Sequence, residues 1–455
     1  MSQKELFVNS VRQIRINEST IVPTVVYYEN KTPFVGLEAL EICEDGAKLR
    51  EDFKVQLGSA EPIKLAKSGA NSTSGSRSVL GICKDFVDSV LQKALTSIKM
   101  TGSNPPTCVL VAEPISISQD QVANENWLNN YRAALKRAVS GNNTEVDFMP
   151  EPFAVFQYYR YGTRHALVAQ KIKHVALVFD FGGGTFDASV IETTAQGDIS
   201  RGTRNSRPLA AKSVPIGGFY INRMIAEHLL FKVLDKSADK SAVRKALGGF
   251  LDLKNADDEV LSGYRLDLAN FVRNYRRLLR SVEQAKITVC NGITSWKLNA
   301  DLSRAPAVSV SVPQQPLAQS PQWVSVRLEA AEVRQIYEDR IWRQQLLPAI
   351  KETLKRADAE LSGKPISIVL LSGGSSNIRW LKPMIERDLS GELRQAEILE
   401  LSENFQEIVS KGLAIECARR FYTEGEGDFR AVTYNRLCLT LAPNDSEPQL
   451  KRFSR

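Results

Sequence analysis

No stretch of this chain is apolar over the ~20 residues that a membrane-spanning helix requires; the apolar segment Ile366–Leu371 is far shorter. No apolar core follows the charges of Met1-Ser-Gln-Lys-Glu, so a secretory leader is not expected. Glycine is missing from all the residues before Ile21. The six cysteines, Cys43, Cys83, Cys108, Cys290, Cys417 and Cys438, show no CxxC spacing. They are expected to be reduced, mostly buried thiols of a cytoplasmic protein, not a disulfide frame or a zinc site. The three histidines, His165, His174 and His228, are not paired at metal-ligand spacing. Charge is weakly one-sided: 59 basic against 52 acidic residues give +7. The densest basic run, Arg273, Arg276, Arg277 and Arg280, reads as a solvated helical stripe. With only Tyr275 among it, no nucleic-acid surface is expected.

The length of 455 residues and a 43% hydrophobic composition fit a globular protein of several domains or lobes. Its most informative segment is Val175–Phe179 followed by Asp180-Phe181-Gly182-Gly183-Gly184-Thr185-Phe186-Asp187. After it, Phe186, Ala188 and Val190 alternate with Asp187, Ser189 and Ile191, so the glycines form the tip of a hairpin. Such a tip lets a phosphate approach backbone N–H groups, and Asp180 at its mouth suits hydrated Mg²⁺ or an attacking water. A strand follows, which excludes the phosphate loop GxxxxGK and the dinucleotide fingerprint GxGxxG. A ligand-free glycine hairpin remains an alternative.

Strands are expected at Val22–Tyr28, Cys108–Ala112, Val308–Val312 and Ile366–Leu371. Helices are expected over Val79–Ile98, around Tyr131–Ala138, over Leu266–Val289 and over Ala331–Leu361. Lys67–Ser78 reads as a polar loop, Thr423–Asp428 as a linker, and Leu437–Leu441 as a strand. The alternation of strands and helices argues an α/β architecture of two lobes, each with a mainly parallel sheet.

Three further segments carry chemistry, each with a plain structural alternative. Glu151, in Met149-Pro150-Glu151-Pro152, sits at a helix start, where the dipole favours a carboxylate whatever its role. Glu283 and Lys286 share a helix face and either reach ribose hydroxyls or form a surface ion pair. Gly373-Gly374-Ser375-Ser376 joins a strand to a helix, as a nucleotide contact or a serine cap.

In order and spacing these segments resemble the nucleotide-binding domain of the heat shock protein 70 family, within the actin-like ATPase superfamily. The resemblance covers Ile21–Tyr422 and is carried by Val22–Leu37, Asp52–Gly58, Val109–Ala112 with Pro114, Glu151-Pro152, Asp180–Asp187, Pro215–Gly218, Arg276–Lys286, Leu371–Asn377 and Glu407–Ala414. It implies two ribonuclease H-like lobes with a cleft between them, binding ATP or ADP with Mg²⁺. Residues 1–168 would form lobe I, with 21–99 as its outer subdomain, and 169–402 lobe II, with 216–327 as its outer subdomain. Residues 403–422 would be a helix returning to lobe I, and 423–455 a linker with a truncated strand and tail.

The same resemblance implies that Lys54 sits by the γ-phosphate and positions the attacking water. Glu151 and Asp180 would hold hydrated Mg²⁺, Glu151 through water, and Thr185 would touch the γ-phosphate. Gly182, Gly183, Gly184, Gly217 and Gly218 would offer backbone to phosphates, Glu283 and Lys286 would bind ribose, and Gly373, Gly374 and Ser375 would line the adenosine pocket. The family's first phosphate hairpin is absent, which suggests an N-terminally shortened chain. Ile287, Cys290, Asn377 and Gln406 stand where the family has Arg, Ser, Arg and Asp, and its peptide-binding domain is missing. The implied function is an ATP-binding chaperone-type module that hydrolyses ATP with Mg²⁺ and works with protein partners or clients. The alternatives are a degenerate, non-hydrolysing regulatory protein and, less favoured, an actin-like filament protein.

Overall fold

The structure, a computed structural model, describes residues 11–29, 32–44, 48–57, 78–98, 108–115, 121–139, 144–162, 173–194, 206–234, 239–256, 258–399, 405–422, 438–439 and 451–452. The expected linker Thr423–Asp428 and most of the polar loop Lys67–Ser78 lie outside them.

The chain opens with hairpin β1 (Val25–Glu29) and β2 (Thr32–Val35), helix α1 (Leu37–Ile42), strand β3 (Arg50–Glu51) and a single helical turn, α2 (Phe53–Gln56). β1 pairs antiparallel with both β2 and β3. Gly36 between β2 and α1 has φ +67°, and a Cβ there would meet Val22 Cγ1 at 2.8 Å. Helix α3 (Val79–Ser97) starts where Ser78 Oγ accepts from Gly81 N at 3.1 Å. Strand β4 (Cys108–Glu113), helix α4 (Gln121–Val139), strand β5 (Glu145–Pro150) and helix α5 (Glu151–Gln157) follow, with β4 and β5 paired parallel. α4 begins well before Tyr131, where the apolar spacing first becomes legible. β4 is half-buried, not the buried strand its apolar sequence suggests.

The second half is built on β6 (Lys173–Phe181), β7 (Phe186–Thr194), β8 (Ser206–Val214), helix α6 (Gly218–Val233), helix α7 (Lys240–Leu253), the short α8 (Asp258–Ser262) and helix α9 (Leu266–Asn291). Then come β9 (Val308–Pro313), β10 (Trp323–Leu328), α10 (Ala330–Ile336), α11 (Leu347–Leu361), β11 (Ile368–Ser372), α12 (Leu381–Asp388), β12 (Glu397–Leu399) and α13 (Ile408–Tyr422). β13 (Cys438–Leu439) pairs antiparallel with β14 (Lys451–Arg452) within the expected strand Leu437–Leu441 and the tail. The main sheet runs β12-β11-β6-β7-β8. It is mixed, not mainly parallel: β12, β11 and β6 are parallel, while β6, β7 and β8 form an antiparallel meander. The tight glycine connection leaves no length for a crossover, so β7 must return antiparallel. Both faces of this sheet are covered, so even the polar positions Asp187 and Ser189 have no exposure.

The expected single helix at Ala331–Leu361 is continuous in path, but residues 337–346 form a wider helical segment between α10 and α11. Pro348 has no N–H to return to the preceding turn, which accounts for the widening beside it. The solvated arginine stripe on α9 is corrected at one position. Arg276 is buried, and its guanidinium donates to the carbonyls of Leu253, Lys254 and Ala256 at 2.7–2.8 Å, satisfying the C-terminal end of α7. The cysteines are also less buried than expected: Cys83 is buried, Cys43, Cys290 and Cys417 are intermediate, and Cys108 is exposed.

Candidate functional site

The glycine hairpin closes as the sequence requires, with Gly182 N donating to Thr185 O at 2.9 Å. The start of α6 packs directly on this tip. Gly218 N donates to Gly182 O at 3.1 Å and Phe219 N to Gly183 O at 2.9 Å. A Cβ at Gly217 would lie 2.4 Å from the Gly183 carbonyl, so only glycine permits the approach. The third glycine segment arrives from the end of β11. Gly373 has φ +85°, and a Cβ there would lie 2.3 Å from Phe181 O. Ser375 Oγ donates to Gly182 O at 2.7 Å. Three glycine segments distant in sequence therefore meet around one hairpin, and no described carbonyl accepts from the amides of Gly183 or Gly184. The helix after Gly373 starts later than expected: residues 374–377 form a 3₁₀ turn, and α12 begins only at Leu381. Ser375 thus caps the hairpin, not a helix.

Acidic groups gather at the hairpin mouth. Asp180 and Asp187 are directly paired across β6 and β7, so both side chains share a face. Glu151, the first residue of α5, is buried beside them and accepts an ion-paired hydrogen bond from Lys54 Nζ. Burial opposes the charge on Lys54, but Glu151 and the neighbouring acids raise its pKa and keep it protonated. Burial, and then the charge of Glu151, push Asp180 up to about 7. Asp187 is raised well above the usual carboxylate range by burial, Glu151 and Asp180. Asp180 Oδ1 and both carboxylate oxygens of Asp187 are buried and make no well-aligned hydrogen bond; the hydroxyls of Ser372 and Ser213 lie beside Asp180 and Asp187 and hold their pKa values down against burial. Thr185 is buried at the tip beside them.

Lys54 is placed from two sides. Its ammonium lies 5.6 Å from the Tyr131 ring, which stacks on Trp127. Asp52, just before α2, takes φ 48° and accepts from Lys254 Nζ through both its carbonyl and its carboxylate, at 2.6 and 2.7 Å. Asn255 exchanges hydrogen bonds with the backbone of Glu51 at 2.9 and 3.0 Å. The turn after α7 thus fixes the segment that carries Lys54.

Glu283 and Lys286 do share a face of α9, with Lys286 Nζ 2.9 Å from Glu283 Oε2. Asn222 of α6 donates to the same carboxylate oxygen, which ties α9 to the helix that starts on the glycine hairpin. Burial works to raise the Glu283 pKa, but Lys286 and Asn222 bring it below the usual value. Gly374 packs against Gln406, with its missing Cβ position 2.7 Å from Gln406 Nε2.

The oxygen-only donor set suits a hard cation such as Mg²⁺. Among the described residues, no three His, Cys, Asp or Glu side chains converge as direct ligands of one ion. The buried carboxylates of Asp180 and Asp187 are compatible with contact to such an ion through its water shell.

No family model matches the chain. It is 24% identical over 414 residues to "Chaperone protein DnaK" of Deinococcus deserti, covering 89% of this chain and 52% of that one. The DnaK of Mycoplasma mobile is 23% identical over 414 residues, covering 88% and 53%. A ribosome-associated molecular chaperone of Nakaseomyces delphensis is 28% identical over 284 residues, covering 62% and 35%. The chain is a relative of the heat shock protein 70 family. It spans about half the length of the curated relatives it matches.

In this heat-shock-70 relative, the motif-bearing residues Asp180, Thr185, Gly182–Gly184, Gly217, Gly218, Gly373 and Ser375 lie around one hairpin, and Lys54 and Glu151 join them as an ion pair. Glu283 and Lys286 connect to the hairpin through α6 and Asn222. Sequence reasoning misses Asp187 as a site residue, although its place in the motif, one strand across from Asp180, is the available signal. Asn222 and Lys254 carry no sequence signal, because each acquires its partner from a distant segment, and Asp52, although inside a segment that resembles the family, gives no sign of its pairing with Lys254. Among the described residues, no helix is long and apolar enough to cross a membrane.

Proposed function

We propose that this chain is an ATP-binding module of heat-shock-70 type, built as two actin-like lobes that close over a triphosphate and act through protein partners in the cytoplasm. The carrying observation is a glycine-lined hairpin whose mouth holds buried carboxylates. In this reading the amides of Gly183 and Gly184 bind phosphate oxygens, with Gly217 and Gly218 providing the close approach. Lys54 neutralises the terminal phosphate and aligns water, Thr185 contacts that phosphate, and Glu151 holds Lys54 and, through water, the metal. Asp180 and Asp187 accept from the hydrated cation. Mg²⁺ there would supply charge neutralisation to the phosphates. Glu283 and Lys286 would reach the ribose, and Gly373, Gly374 and Ser375 the nucleoside.

The lobes would be residues 1–168 and 169–402, with outer subdomains at 21–99 and 216–327, and residues 403–422 returning to the first. The link from Asp52 to Lys254 across these divisions supports a closed arrangement. A second reading, binding without turnover, rests on the lack of glycine before Ile21, where the family's first phosphate hairpin would stand.

Calorimetric titration of Mg-ATP into wild type and Asp180→Asn, followed by measurement of ADP formed, tests both readings. Binding with turnover that Asp180→Asn abolishes supports an ATPase. Binding without turnover supports the second reading. Absence of binding overturns both.

A further inference from the structure

A second concave site lies along α6, away from its glycine-packed start. Arg223, Glu227 and Phe231 recur at i, i+4 and i+8 and form one stripe of that helix. Together with Arg244 and Leu247 of α7, and Arg340 in the wide helical segment after α10, they line a cleft of about 500 Å³. That volume is within the range of small-molecule sites.

The charges in this cleft do not balance. Three guanidiniums face the single carboxylate of Glu227, which lies 3.1 Å from Arg340 Nη2 and 3.8 Å from Arg223 Nη2. The Arg223 Nε is buried and has no hydrogen-bond acceptor. Arg244 is exposed and lies over the Phe231 ring at 5.5 Å, with no ion pair to any described residue. His228 at the rim shares Glu332 with Lys232, so Glu332 adds no free negative charge. Two positive charges are thus left over above a floor of Phe231, Leu247 and Ile336. Guanidinium forks match the oxygens of a phosphate, and their excess charge favours an anion in the cleft.

We propose that this cleft binds a small phosphomonoester carrying an apolar group, at a site separate from the glycine hairpin. The phosphate would sit among Arg223, Arg244 and Arg340, and the apolar group would lie on Phe231 and Leu247.

Phenyl phosphate is the probe, titrated calorimetrically into wild type, Asp180→Asn, Arg244→Ala and Glu227→Gln. Melting curves check that each variant is folded. One saturable site is expected, unaffected by excess ADP and retained in Asp180→Asn. Arg244→Ala should weaken it about tenfold or more, the loss of one charge-assisted contact. Glu227→Gln should tighten it, because the competing carboxylate is gone, and a merely structural role for Glu227 would not give that sign. Inorganic phosphate should bind more weakly than phenyl phosphate. Absence of saturable binding, displacement by ADP, or wild-type affinity in folded Arg244→Ala overturns the proposal.

Discussion

Asp180 and Asp187 stand opposite each other in the β6–β7 ladder, buried on one face, and together with Glu151 they confront a single ammonium, that of Lys54. Like charges at directly paired positions destabilise a sheet, so the fold alone gains nothing from this arrangement. The strain falls where the proposed function needs acceptors.

Acidification should stabilise the metal-free protein. The native pKa of Asp180 is pushed up to about 7, above its ordinary value. Between the two values the native state binds a proton that the unfolded chain does not, so stability rises as pH falls from about 8 towards 5. The slope for one such group is at most about 1.4 kcal/mol per pH unit. His174, lowered by burial, works in the opposite direction below its ordinary pKa. Subtracting the Asp180→Asn profile reports the Asp180–Asp187 pair, because the charge of Asp180 also raises Asp187. Urea midpoints recorded across this range in EDTA should fall with pH more steeply in wild type than in the variant; identical slopes would refute the assignment.

Lys54→Met leaves the three acids without their cation. We expect the metal-free protein to lose roughly 1–3 kcal/mol, short of the full cost of breaking a buried pair because Lys54 is 31% exposed. Millimolar Mg²⁺ should recover part of that loss. Denaturant melts with and without the ion provide the check, and an equal loss in both conditions would contradict the proposed cation role.

Gly412→Ala should destabilise the whole protein. A Cβ at Gly412 would lie 1.8 Å from Ala154 O, forcing α13 away from the helix that begins at Glu151. Overpacking of this kind costs about 1–3 kcal/mol or more. Thermal melting should show a fall of several degrees; an unchanged melting temperature would mean that the two helices are not so closely crossed.

Glu416→Gln probes the most buried ion pair among the described residues. Glu416 accepts from Arg419 Nε and Nη2 at 2.9 Å, from Arg420 Nε at 2.9 Å, and from Gln157 Nε2 at 2.8 Å, and both Glu416 and Arg419 have no exposure. Removing the charge takes a carboxylate away from two arginines, one of them fully buried, for a loss of roughly 3 kcal/mol. Glu416→Leu combined with Arg419→Met should retain more stability than Glu416→Gln alone. A double variant less stable than the single one would reverse that expectation.

Local patterns were legible where they were repeated or punctuated. The Val175–Phe179 run, the glycine tip and the alternation after it specified a hairpin, and the structure has it. The spacing of Glu283 and Lys286 gave a shared helix face, and their side chains meet. Misreadings arose where a distant segment supplied the partner. Arg276 is buried because α7 ends against it with bare carbonyls, which no feature of the α9 sequence reveals. Ser375 caps the glycine hairpin because β11 lies beside β6, and that pairing is not written in either strand.

Sequence by itself determined the local geometry: a bare-backbone hairpin flanked by carboxylates, helices with periodic apolar faces, and the order of motifs that resembles one chaperone family. Backbone sterics and side-chain periodicity act over a few residues, so they can be read along the chain. Only the tertiary structure decided that Asp187 joins Asp180, that Lys54 reaches Glu151, and that three glycine segments share one tip. Electrostatics and close packing act through space, and they are defined only once folding has brought distant residues together.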